Sequence, residues 1–150
     1  MNMSNYRPQA LDDSGKPFFM LTDEDFRTLA AVRAAIRGFA YFTEKVVQAA
    51  GLTPQQHQVL VTLRASENDE LTIGEVAKAL LLRPHSVSGL ADRLEALGLV
   101  ARARSKADHR VVVLQLTDKA RKLMSSLSLT HRDELRRIRP LLISLLSQLD

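Results

Sequence analysis

The chain has 150 residues, a length that fits one domain able to bury a core without cross-links, and 45% hydrophobic against 25% charged residues is an ordinary globular balance. It contains no Cys, which excludes disulfides, thiolate metal sites and thiol redox sensing. No apolar run approaches the about 18–20 residues of a membrane span, and the opening MNMSNYRPQALDDSGKP lacks a signal peptide's basic start and apolar middle, so a cytoplasmic location is expected. The net charge of +4 is concentrated: between residues 83 and 110, Arg83, Arg93, Arg102, Arg104, Lys106 and Arg110 face only Asp92, Glu95 and Asp108. Such a local excess suits a polyanionic partner but does not identify one.

Residues 1–17 are polar, with Pro8, Gly15 and Pro17, and read as a flexible N-terminal arm. Thr22 then caps a long amphipathic helix over 22–50, with Asp23, Glu24 and Asp25 in its first turn, where carboxylates complement the helix dipole. Leu21 and Phe26 have the spacing of a hydrophobic staple. Phe26, Leu29, Val32, Ile36, Phe39, Thr43, Val46 and Ala50 recur at helical spacing up to Gly51. Thr53-Pro54-Gln55-Gln56 combines a cap, Pro at the first helical position and a Gln that closes a capping box. The helix it opens carries Val59, Leu60 and Leu63 and ends in the polar Ser66–Glu70.

Thr72-Ile73-Gly74-Glu75 is a second capping box, opening a short helix with Ile73, Val76, Ala77 and Leu80 on one side. Pro84 restarts the chain, and Val87, Leu90, Ala91, Leu94 and Leu97 form the stripe of another helix that Gly98 ends. Two strand-like runs follow, Leu99–Arg104 and Arg110–Leu116, joined by the polar Ser105–His109 as a hairpin. Thr117 caps a further helix, and the tail repeats Ile138, Leu141, Leu142, Leu145, Leu146 and Leu149; a break at Thr130 or at Pro140 is compatible with the sequence.

The fold class is therefore mainly α with a small β-wing: a winged helix-turn-helix core over 52–117, flanked by helices at 22–50 and 118–149 in one domain spanning 18–150. The flanking stripes exceed what so small a module can cover, and packing them against a second copy in a two-fold homodimer is the simplest solution. The helix after Pro84 turns His85, Ser86, Ser88, Gly89, Asp92 and Arg93 away from its apolar side. Small polar residues near the N-terminus of such a helix let the backbone approach the major groove and bond base edges or phosphates. In the hairpin, Arg102, Arg104, Lys106 and Arg110 occur with few acids, and an Arg at the tip can enter a narrow, negative minor groove. Asp108, two residues before Arg110, is placed to hold that guanidinium by a salt bridge.

At these residues the chain resembles the MarR family (multiple antibiotic resistance regulator) of winged helix-turn-helix transcriptional regulators. The shared features are Leu52-Thr53 with Gln56, the Thr72–Leu80 helix, Val87, Leu90, Asp92, Arg93, Leu94 and Glu95, then Gly98-Leu99-Val100, Arg102, Asp108-His109-Arg110 and Leu116-Thr117. The resemblance implies a homodimer joined through its first and last helices. It would read a pseudo-palindromic operator in double-stranded DNA, with Pro84–Arg93 in the major groove and Arg110 in the minor groove. Such proteins usually repress and release DNA on binding a small effector, often an anionic aromatic acid or its thioester. By the same analogy the DNA-binding set is Arg83, Pro84, His85, Ser86, Ser88, Arg93, Arg104, Lys106, Asp108 and Arg110, and the effector-cleft candidates are Arg37, Tyr41 and His57. The absence of Cys and Trp departs from thiol-sensing and urate-responsive members.

No enzyme is expected, and neither a cofactor nor a metal. His57, His85, His109 and His131 are too far apart for a ligand triad, and no nucleophile motif surrounds Ser125, Ser126 or Ser128. The cluster Arg136, Arg137, Arg139 reads as a solvated helix face or as supplementary phosphate attraction. Two alternatives differ in class or control: a constitutive DNA binder, and a winged-helix protein-interaction module without DNA binding. The latter should have lost the wing cations, which this chain keeps.

Overall fold

The structure, a computed structural model, describes residues 10–11, 17–18, 21–106 and 108–148. The elements run β1 (Ala10–Leu11), β2 (Pro17–Phe18), α1 (Asp23–Ala49), α2 (Pro54–Ala65), a 3-10 turn (Glu67–Asp69), β3 (Glu70–Leu71), α3 (Ile73–Leu80), α4 (Pro84–Ala96), β4 (Val100–Arg104), β5 (Val112–Leu116) and α5 (Asp118–Leu146). The mainly helical class with a small wing is as the sequence implied. Most of the arm expected over 1–17 lies outside the described residues, as does Leu149; within the arm, β1 pairs antiparallel with β2. Two compact units divide the chain, one formed by residues 42–132 and the other by 1–41 with 133–150, so α1 and α5 each contribute to both. Among the described residues, no helix is long and apolar enough to cross a membrane.

The 42–132 unit holds the winged core. Val47, Val59, Leu60, Leu63, Val76, Val87 and Leu94 are fully buried, with Leu99, Val100, Leu114, Leu116, Ala120 and Met124 around them. Each such Val, Leu or Met side chain gains about 1.5–3 kcal/mol on leaving water. Both capping boxes form. Thr53 Oγ1 accepts from the Gln56 amide at 3.2 Å while Gln56 Oε1 accepts from the Thr53 amide at 2.9 Å. Thr72 and Glu75 repeat the exchange at 3.2 and 2.7 Å.

Three helices of this unit end alike: the chain turns left-handed just past the last turn, and two backward amide bonds satisfy the final carbonyls. At α1 the pair is Gly51 to Gln48 and Leu52 to Val47, at α4 Gly98 to Glu95 and Leu99 to Leu94, and at α3 Leu81 to Lys78 and Leu82 to Ala77. Glycine fills the left-handed position at the first two, with φ of 79° and 69°, but at the third Leu81 has φ 54° and is 93% exposed.

The sheet has three strands in the order β3-β5-β4, all antiparallel. The hairpin was expected; β3 was not, because Glu70 closes the polar stretch Ser66–Glu70 and Leu71 alone gives no strand pattern, yet the two pair with Gln115 and Leu114. The helix expected from Thr117 onwards runs unbroken to Leu146, so neither Thr130 nor Pro140 divides it, although Pro140 leaves the Arg136 carbonyl without its helical donor.

In the other unit, Thr22 caps α1 by accepting from the Asp25 amide at 3.2 Å, and the Asp25 carboxyl accepts from the Thr22 amide at 2.7 Å and the Thr22 hydroxyl at 2.8 Å, which hold it below its usual range. Leu21 and Phe26 are both exposed. Thr28 is buried and donates to Gln148 at 3.0 Å. Phe26, Ile36, Leu141, Ile143 and Leu146 are more than half exposed, an uncovered apolar surface on otherwise ordered helices.

Candidate nucleic-acid interface

The outward face of α4 is built by its register. Val87, Leu90, Ala91 and Leu94 are buried, which leaves Pro84, His85, Ser86, Asp92 and Arg93 exposed and Ser88 and Gly89 half-buried. Arg83, the cap residue, is exposed, and no side chain caps the helix, so its leading amides are open to an external acceptor. Residues 83–86 together present a cation, an imidazole and a hydroxyl at a positive helix end.

The wing tip is held by Asp108. Its Oδ1 accepts from the Arg110 amide at 3.0 Å and from Arg110 Nε at 3.1 Å, and its Oδ2 accepts from Nη2 at 3.1 Å. These bonds, the side-chain pair first, keep the Asp108 carboxyl below its ordinary range. The Arg110 side chain remains 90% exposed: it is oriented without being covered. Arg104 donates to the Arg110 carbonyl at 3.3 Å, and Lys106 is exposed beside it. At the wing base Glu70 accepts from Gln115 at 2.7 Å and from the buried Ser105 hydroxyl at 3.4 Å, fastening β3 to the hairpin.

Arg102 departs from the expected row of free wing cations. Its Nη2 donates to Asp92 Oδ1 at 2.6 Å and its Nη1 to Glu95 Oε2, so its charge is spent on α4. The α4 terminus is further secured by Lys119 Nζ on the Leu97 carbonyl and Thr117 Oγ1 on the Gly98 carbonyl, each at 2.7 Å. Asp69, in the left-handed region, accepts from Arg64 at 2.9 Å and Arg121 at 2.8 Å and is held below its normal range, chiefly by the Arg121 bond. None of these partnerships was read from the sequence; opposite charges offer a clue to the arginine pairs and nothing marks the bonds of Lys119 and Thr117 to carbonyls.

Of the effector candidates, Arg37 and Tyr41 are exposed on the part of α1 belonging to the 1–41/133–150 unit, while His57 is buried in the 42–132 unit. His57 meets His131 edge to face, with ring centroids 5.1 Å apart, and both Nε2 atoms are buried without a hydrogen-bond partner among the described residues. Burial, and then the neighbouring His131, push the His57 imidazole below its ordinary value. From the sequence His131 figures only among four widely spaced histidines, with no sign that it adjoins His57. Among the described residues, no three His, Cys, Asp or Glu group as a metal site would require.

The model of the MarR family matches residues 50–111. Transcriptional repressor MprA of Escherichia coli K12 is 31% identical over 121 residues, covering 71% of this chain and 69% of MprA. The chain belongs to the MarR family. HTH-type transcriptional repressor MdtR of Bacillus subtilis is 40% identical over 68 residues, which is 45% of this chain and only 43% of MdtR. In three dimensions it is similar to Sco3205, a MarR-family regulator from Streptomyces coelicolor solved in complex with DNA, with a TM-score of 0.63 and 25% identity over 79% of this chain and 75% of Sco3205. These MarR relatives are transcriptional regulators, not enzymes, in keeping with the sequence reading.

Proposed function

We propose that the chain is a homodimeric, sequence-specific DNA-binding repressor that leaves a pseudo-palindromic operator when a small anionic aromatic effector binds. The observation that carries the DNA reading is the pairing of two polyanion-facing elements in one unit: the open, uncapped α4 terminus at Arg83–Ser86 and the braced but exposed Arg110. Pro84, His85, Ser86, Ser88 and Arg93 address the major groove, while Arg104, Lys106 and Arg110, with Asp108 as brace, address the backbone and minor groove. Dimerisation is supported by the exposed Phe26, Ile36, Leu141 and Leu146, and effector control by the family; Arg37 and Tyr41 in one unit and, in the other, His57, whose Nε2 has no hydrogen-bond partner among the described residues, are the candidate residues. A ligand that lowers operator affinity must itself bind the DNA-free protein better.

The test is fluorescence-anisotropy titration at several salt concentrations. Arg110→Ala should weaken binding to specific and scrambled duplexes alike and reduce the salt slope by about one per lost contact, hence about two per dimer. Asp108→Ala should also weaken binding although it makes the wing more positive, because it frees the guanidinium that two bonds now orient and the Arg110 amide that a third holds. Tighter binding by the Asp108 variant together with unchanged binding by the Arg110 variant would refute the wing assignment. A monomer in sedimentation at micromolar concentration would refute the dimer.

A further inference from the structure

Two arginines of the same hairpin have opposite surroundings: the Arg110 side chain is 90% exposed, that of Arg102 only 34%. The Arg102 guanidinium grips two carboxylates one turn apart on α4, Asp92 at 2.6 Å and Glu95. We infer that Arg102 is a positioning residue for DNA reading, one that contacts no nucleotide itself and instead sets the angle of α4 against the root of the wing. The inference rests on the DNA-binding reading above.

The charges argue for this role over phosphate contact. Were the guanidinium to turn towards DNA, Asp92 and Glu95 would be left bare on the helix that approaches the polyanion, next to Arg93. Keeping the bridge offsets one of the two negative charges, so that with Arg93 this part of the helix is neutral instead of net negative. The lever arm argues the same way. Among the described residues, the side-chain hydrogen bonds to α4 and its end from the wing, Thr117 and α5 fall in its C-terminal half and just past it: Arg102 at Asp92 and Glu95, Lys119 at Leu97, Thr117 at Gly98. Its other end carries the exposed Arg83–Ser86 and has no side-chain cap. From Glu95 to Pro84 the helix extends about 16 Å, so a tilt of about 5° at the tied end moves the reading end by about 1.5 Å. A hydrogen bond to a base edge tolerates only a few tenths of that. Operator preference should therefore be far more sensitive than stability, since exposed ion pairs contribute little to folding.

Three variants of the full chain, Arg102→Lys, Asp92→Asn and Arg102→Gln, test this against a duplex selected in vitro on the wild-type protein and against a scrambled duplex. Arg102→Lys keeps the charge but cannot fork two carboxylates. It should lose about tenfold of the specific-to-scrambled affinity ratio, with the salt slope unchanged and melting within a few degrees of wild type. Asp92→Asn makes α4 more positive, so charge attraction alone predicts tighter binding to everything; positioning predicts weaker operator binding with scrambled binding equal or tighter. A wild-type ratio in both Arg102→Lys and Asp92→Asn overturns the inference while the DNA-binding reading stands. So does a salt slope lower by about two per dimer in Arg102→Gln, which would make Arg102 a phosphate contact. A ratio lost only in step with a collapse in melting would assign a purely structural role. If the wild-type protein prefers no duplex, the DNA-binding reading fails first and this inference with it.

Discussion

Replacing Leu81 by glycine should make the protein more stable. Leu81 has φ 54° in the turn between α3 and α4, where a Cβ crowds the following carbonyl at a cost of about 1–2 kcal/mol. Glycine removes that cost but widens the unfolded ensemble, which takes back about 0.5–1 kcal/mol. The lost side chain contributes almost nothing, since at 93% exposure the remaining burial amounts to no more than about 0.2 kcal/mol. The balance is a gain of about 0.5–1 kcal/mol, or about 1–4 °C in melting for a chain of this size. Calorimetry at fixed protein concentration is the assay, because any self-association adds to apparent stability. Leu81→Ala is the control: it keeps the Cβ and should show no such gain. Equal behaviour of the Gly and Ala variants, or a loss in the Gly variant, would refute the reasoning and point to a contact made by the exposed leucine.

Two further outcomes follow from the caps and the buried imidazoles. Thr72→Ala removes the hydroxyl that caps α3 and should lower the denaturation midpoint by the equivalent of about 1 kcal/mol with an unchanged m-value, whereas Thr72→Ser should stay near wild type. The native His57 imidazole titrates below its unfolded value of 6.5, so the unfolded chain binds more protons in that window; the stability is fully present above about pH 6.5 and is lost as the pH falls. His57→Phe should flatten the decline in melting temperature between about pH 7.5 and 5.5, and an unchanged decline would remove His57 from the account.

What the sequence disclosed was what short-range chemistry determines. The Thr53/Gln56 and Thr72/Glu75 boxes, Pro84 at a helix start and Gly98 at a helix end are decided within a few residues, and the structure contains them all. The Asp108–Arg110 brace was legible for the same reason, two residues separating the partners. What stayed hidden depends on chain reversal. Glu70 bonds Gln115, 45 residues away, which makes a strand of an apparent loop. Arg102 looks like its neighbours Arg104 and Lys106 until α4 is seen beside it. The contact of His57 with His131 was hidden because they stand 74 residues apart and nothing in either segment announces the other. Leu81 escaped notice because a leucine among leucines carries no mark of a left-handed backbone.

The β3-β5-β4 order has a bearing on solubility. Pairing β5 on both sides leaves β4 as the longer edge of the sheet, a row of amides and carbonyls that could template a strand from another molecule. That edge reads Val-Ala-Arg-Ala-Arg. Charged side chains on an edge strand are a recognised deterrent to edge-to-edge association, and β3, at only two residues, offers too short a template on the other side. Arg104 thus has a second use independent of any nucleic acid: a protein that had discarded its polyanion partner would still be selected to keep a cation there. Aggregation rate, followed by light scattering in Arg104→Val at unchanged thermal stability, reads this use apart from the first.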